Sequence, residues 1–109
     1  MEKIYKEYLL SAQGALLGKV KPNLRAVAIG WESYNSIKLK FILDTNPTEV
    51  DRDLLSEACG EIIADFPNIQ LEEYCEFSLD QPKKILEKGR YKQLIYLRYE
   101  DFSILPECS

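Results

Sequence analysis

Four carboxylates, Asp53, Glu57, Glu61 and Asp65, recur at four-residue intervals, the spacing that lines side chains along one face of an α-helix. Such a row can supply an acid and a base, hold a magnesium ion, or meet a cationic surface on another molecule. No base is spaced along the same segment to answer the acids, and like charges so spaced repel by about 0.2–0.5 kcal/mol per pair on an isolated helix. Two readings of the stripe stay open: a solvated face on an acidic protein, or a docking face for a basic partner.

Composition removes most of the catalytic alternatives. The chain contains no histidine, so Ser-His and Cys-His nucleophilic sites and the common zinc sites are excluded. Cys59, Cys75 and Cys108 are an odd set with no C-x-x-C pair, which argues against a disulfide framework and for reduced thiols in a cytosolic chain. Cys59 falls beside the apolar face of a helix and Cys75 on the apolar phase of a strand, and both read as small core residues. Gly14, Gly18, Gly30, Gly60 and Gly89 match neither a dinucleotide fingerprint nor a phosphate loop. No catalytic residue, cofactor or metal site is expected, and the chemistry points to binding.

The formal charge of −4 is unevenly spread. Between Glu49 and Asp80 there are ten acids and one base, Arg52, while the rest of the chain is mildly basic. An acidic block repels phosphate backbones and speeds capture of a cationic partner, so direct nucleic-acid binding is disfavoured. Trp31, Tyr34, Tyr74, Tyr91, Tyr96 and Tyr99 could anchor an interface or serve as core and cross-strand pairs.

These residues need elements to hold them. The 109 residues, 46% hydrophobic and 29% charged, suit one globular domain over 1–109. The first residues carry both signs of charge with no apolar run behind them, and no stretch reaches the roughly 20 apolar residues of a membrane span, so a cytoplasmic location is expected. Ile4, Tyr5, Tyr8, Leu9, Ala12 and Leu16 share one face of a helix from Glu2 to about Leu17, which Gly18 and Pro22 end. Leu24 to Trp31 is β-like, Glu32 to Ser36 is a polar turn, and Ile37, Leu39, Phe41 and Leu43 alternate with Lys38 and Lys40, which makes a β-hairpin. Thr48 and Asp51 resemble a capping box opening a second helix, with Val50, Leu54, Leu55, Ala58, Ile62 and Phe66 on its buried face and Pro67-Asn68 as its stop. Glu49, Asp51 and Asp53 suit the positive end of that helix dipole, so part of the acidity has a structural use.

Ile69, Leu71, Cys75 and Phe77 alternate with Glu72, Tyr74 and Glu76 in a third strand, where Glu73, on the apolar phase, marks a bulge or an edge. A short helix between Pro82 and Gly89 and a fourth strand over Tyr91–Tyr99 follow, and Phe102, Ile104 and Leu105 could dock the tail. The order of principal elements is α-β-β-α-β-β, which implies an α+β fold with a four-stranded, mainly antiparallel sheet and the two principal helices on one face. The other face would carry Arg25, Lys38, Lys40 and several tyrosines, and much of it would meet water. Glu72 and Glu76 follow the second helix closely, and if helix and strand are neighbours they would extend the stripe, giving a partner-binding set of Asp53, Glu57, Glu61, Asp65, Glu72 and Glu76.

The stretch Leu16-Leu17-Gly18-Lys19-Val20-Lys21-Pro22-Asn23-Leu24-Arg25-Ala26-Val27, with Lys38-Leu39-Lys40-Phe41 and Asp51-Arg52-Asp53-Leu54 leading to Ala64-Asp65-Phe66-Pro67, resembles small bacterial immunity proteins of contact-dependent growth inhibition and related polymorphic toxin systems. The resemblance covers about two thirds of the chain as a pattern of similar residues, with no diagnostic motif. It implies a cytoplasmic, non-catalytic protein without cofactor that binds and blocks a cognate toxin domain, often a nuclease. It assigns no contact residue, so the acidic set rests on charge alone. The alternative is an acidic secretion or assembly chaperone that holds a client protein in an apolar groove.

Overall fold

The computed structural model describes residues 2–33, 35–89 and 91–98. The expectations for Tyr34, Tyr99, Cys108 and the tail from Phe102 lie outside them.

Helix α1 (Glu2–Ala15) ends in a turn in which Gly18 takes φ 78°, a left-handed conformation that glycine adopts without a Cβ clash. Strands β1 (Leu24–Ser33) and β2 (Ser36–Leu43) form the expected antiparallel hairpin, with Val27 opposite Phe41 and Ile29 opposite Leu39. Helix α2 (Glu49–Asp65), β3 (Gln70–Phe77), α3 (Pro82–Gly89) and β4 (Gln93–Leu97) are the remaining elements among the described residues. β4 pairs antiparallel with β1, and the sheet order is β3-β2-β1-β4.

One expectation needs correction. The sheet is mixed, because β3 runs parallel to β2 from Ser36↔Gln70 to Leu43↔Phe77. The cause is length. The 17 residues of α2 span about 25 Å at 1.5 Å per residue, which matches the roughly 26 Å of an eight-residue strand. The helix therefore returns the chain to the end of the sheet where β2 began, and the next strand must repeat the direction of β2. Alternation of side chains carries no information about strand direction.

The main core fills the space between the sheet and the α1–α2 layer. Tyr8 and Ala12 from α1, Leu16 from the turn after it, and Leu55, Ala58, Cys59 and Ile62 from α2 meet Val27, Ile29, Leu39 and Phe41 of the hairpin. The Tyr8 ring meets Phe66 edge to face at 4.8 Å, and Tyr5 stacks on Trp31 at 4.5 Å, so Trp31 serves the core side of the sheet.

The opposite face is not simply open to water. Ile85 of α3 and Leu94 of β4 close a second small core over Ala26 and Ile42. Arg25 is 4% exposed, and its guanidinium donates to the carbonyls of Ser78 and Asp80 at 2.6 and 3.0 Å, tying β1 to the segment leaving β3. Lys38 donates to the Gly89 carbonyl at 2.8 Å and stands 4.6 Å above the Tyr91 ring, while Lys40 pairs with Glu76 at 2.6 Å. These basic residues are used to hold α3 and β3 in place. Among the described residues, no helix is long and apolar enough to cross a membrane.

Candidate functional site, an acidic surface on α2 and β3

The second helix starts where its sequence says it should. The Thr48 hydroxyl accepts from the Asp51 amide at 3.2 Å, and the Asp51 carboxylate accepts from the Thr48 amide at 2.9 Å, a reciprocal capping box. Asp51 is also 2% exposed, and it accepts from Lys21 at 2.9 Å and from Asn23 at 3.3 Å. Burial pushes its carboxyl up, but the bonds from Lys21, the Thr48 backbone, Asn23 and the Thr48 hydroxyl outweigh this and hold it down at about 2. Asp51 therefore belongs to the architecture. It fixes the start of α2 to the loop that leads into β1.

The rest of the helix treats its acids differently. Asp53, Glu57, Glu61 and Asp65 are all exposed. Glu61 is paired with Lys19, and Asp65 accepts from the Ser11 hydroxyl at 2.5 Å, so these two also tie α2 to α1 and its following turn. Among the described residues, Asp53 and Glu57 have neither an ion pair nor a hydrogen bond from a side chain. Beside the stripe, an open groove of about 340 Å³ runs between the helices, with Gly14 and Ala64 in its lining and Leu10, 68% exposed, at its margin.

Glu72 and Glu76 do not continue this surface. Glu76 reaches Lys40, and Glu72 accepts from the Tyr74 hydroxyl, on the sheet face that carries α3. That bond and the charge of Glu72 push the Tyr74 phenol up. Glu73 is the acid of β3 that turns toward α2, where it accepts from the Ser56 hydroxyl at 2.7 Å. Sequence reading set Glu73 apart as a sign of a bulge or an edge; it lies on an edge strand, and the β2–β3 register has no bulge. The six candidate acids thus fall into a helical group and a strand group on opposite faces of the sheet, with Glu73 on the helix side of the same strand. They do not form one continuous patch: Glu61 and Asp65 are held toward α1, whereas α2 and β3 meet along the rim of the molecule where Ser56 donates to Glu73.

The remaining chemistry of the region is quiet. Burial and the nearby charge of Glu73 push the Cys59 thiol up to about 12, and burial also raises Cys75, so neither offers a thiolate at neutral pH. Among the described residues, no group of three or more cysteines, aspartates or glutamates is gathered in a way that could hold a metal ion. The partners of Asp51 and Glu61 were missed in the sequence because Lys19, Lys21 and Asn23 lie 28 or more residues away. The only local signal was a cluster of donors just before β1.

No curated protein matches the chain. A family model described as the MafI2 immunity protein matches residues 5–100.

Proposed function

The chain belongs to the MafI2 immunity protein family, and from that premise we propose that it binds a cognate toxin domain in the cytoplasm and neutralises it through the acidic rim formed by α2 and β3. The observation that carries this reading is the state of Asp53 and Glu57. They are exposed and unanswered on α2, four residues apart, so that like charge faces like charge, whereas Asp51 on the same helix is fully bonded. Carboxylates left in that state draw a cationic surface quickly and in a salt-dependent way. The natural partner is a basic protein. A nuclease fits, because acids on an inhibitor can occupy the surface that would otherwise hold phosphates. The chain acts by occupancy, with no catalytic step and no cofactor.

The test has two stages. Tagged chain is purified from its native cells, the retained proteins are identified by mass spectrometry, and each is expressed with and without the chain to measure growth. One basic, growth-inhibiting domain whose toxicity the chain relieves is the expected result. Capture of an exported, non-toxic client would overturn immunity in favour of a chaperone. Asp53→Lys and Glu57→Lys together should abolish rescue while leaving the fold intact, and rescue that survives both would remove the acidic face from the mechanism.

A further inference from the structure

The two edges of the sheet are built differently. β4 is five residues long and its pairing with β1 contains a register shift, whereas β3 is eight residues long and its pairing with β2 contains none. The hydrogen bonds at the two ends of β3 establish which of its groups point outward. The Gln70 amide donates to the Asn35 carbonyl at 2.8 Å and the Ser78 amide to the Leu43 carbonyl at 3.0 Å. Backbone groups alternate along a strand, so the even-numbered amides face β2, and those of Leu71, Glu73, Cys75 and Phe77 face away from the sheet. Among the described residues, no strand lies beyond them and nothing accepts from these four.

A regular edge of this length is a template for another strand, and its flanking charges decide which strand fits. Glu72 and Glu76 stand on one face, Glu76 already paired with Lys40, and Glu73 stands on the other. A second copy of β3 would set carboxylates opposite carboxylates, which destabilises a cross-strand pair. The segment 99–109 of this chain carries Glu100, Asp101 and Glu107 and no base, so the same repulsion opposes it. A strand with Lys or Arg on both of its faces meets no such obstacle. Tyr74 and Phe77, 42% and 44% exposed, offer it apolar contact on the two faces.

We infer that the β3 edge is where the toxin domain docks, by adding a basic β-strand to the sheet through the outward amides and carbonyls of Leu71, Glu73, Cys75 and Phe77. This inference rests on the immunity reading above and specifies how the partner is held. It accounts for the division of the acids between two faces, since a strand added at the rim projects its side chains to both.

Two arms test it. In the first, isotope-labelled chain is mixed with a nine-residue Lys/Thr/Val peptide bearing Lys on both faces, and amide exchange is followed by NMR. The amides of residues 71, 73, 75 and 77 should slow at least tenfold, and a version of the peptide with N-methylated backbone should have no effect. Slowing that is absent, or equal with the N-methylated peptide, would overturn the inference. In the second arm, Glu73→Pro is compared with Glu73→Gln, and Phe77→Pro with Phe77→Ala, in the growth-rescue assay and in affinity for the captured domain. Proline at an outward amide spares the β2 ladder, and retained protection of the even-numbered amides verifies the fold. Each proline variant should bind at least tenfold more weakly than its control. If both proline variants match their controls while the charge reversals on α2 abolish rescue, immunity stands and the docking edge falls. If the chain rescues growth from no domain, immunity falls and the peptide arm decides the edge by itself.

Discussion

Along α2, the turn that begins at Thr48 and the face that runs from Asp53 to Asp65 treat the same chemical group in opposite ways. Asp51 is buried and accepts from Lys21, Asn23 and Thr48, whereas Asp53, two residues on, is exposed and unpaired among the described residues. The difference lies in what surrounds each position. Asp51 faces the loop from Lys19 to Asn23, which brings donors from 28 and 30 residues away, and its charge is consumed in holding that loop to the helix. Asp53 faces solvent, and its charge stays available to another molecule. Acidity in a sequence therefore has to be divided by neighbourhood before any of it is assigned to function.

The largest effect should come from the buried member. Asp51→Ala strips Lys21 and the Thr48 amide of their shared acceptor and should cost about 2–4 kcal/mol in urea unfolding, whereas Asp53→Ala should change stability by less than about 0.5 kcal/mol. Equal costs at the two positions would erase the contrast.

Acid should separate them next. The Asp51 carboxyl lies at about 2 in the folded protein against an ordinary 3.8. Its contribution is thus fully present above pH 3.8 and is lost as the pH falls from there toward 2, a total of about 2 kcal/mol. Stability curves measured over that window should lose this component in Asp51→Asn and keep it in Asp53→Asn.

Smaller gains are expected on the outer face. Gly60 lies inside α2 with nothing within 4 Å of where a Cβ would stand, so Gly60→Ala should stabilise the protein by about 0.5–1 kcal/mol in thermal or urea melts. Glu57→Lys replaces repulsion from Asp53 and Glu61 with attraction and should raise stability by about 0.2–0.5 kcal/mol per pair, while weakening capture of a basic partner. A variant that folds better and binds worse is the signature of a charge kept for a partner. Glu57→Lys that destabilises the helix would mean the residue has a structural partner after all.

What was legible in the chain follows the range of each interaction. The capping box could be read because Thr48 and Asp51 are three residues apart, and α3 because Pro82 and Gly89 bracket it. The hairpin could be read from the alternation of Ile37, Leu39, Phe41 and Leu43. The parallel course of β3 could not, because side-chain alternation is the same in either direction. The placement of Glu72 and Glu76 failed for a related reason. Closeness in sequence to α2 suggested a shared surface, but the parity of the strand sends them to the other face and leaves Glu73 beside Ser56. Arg25 reads as a surface residue by type, and only the fold reveals the carbonyls of Ser78 and Asp80 that make its burial tolerable.

The most direct measurement is the affinity of the chain for the captured growth-inhibiting domain as a function of salt, for the native protein and for the Asp53→Lys, Glu57→Lys double variant. The native affinity should fall steeply as salt rises, and the double variant should bind at least tenfold more weakly at low salt with a much flatter dependence. Identical affinities and identical salt dependence in two proteins that melt alike would contradict the claim that the unpaired acids of α2 exist to meet the partner.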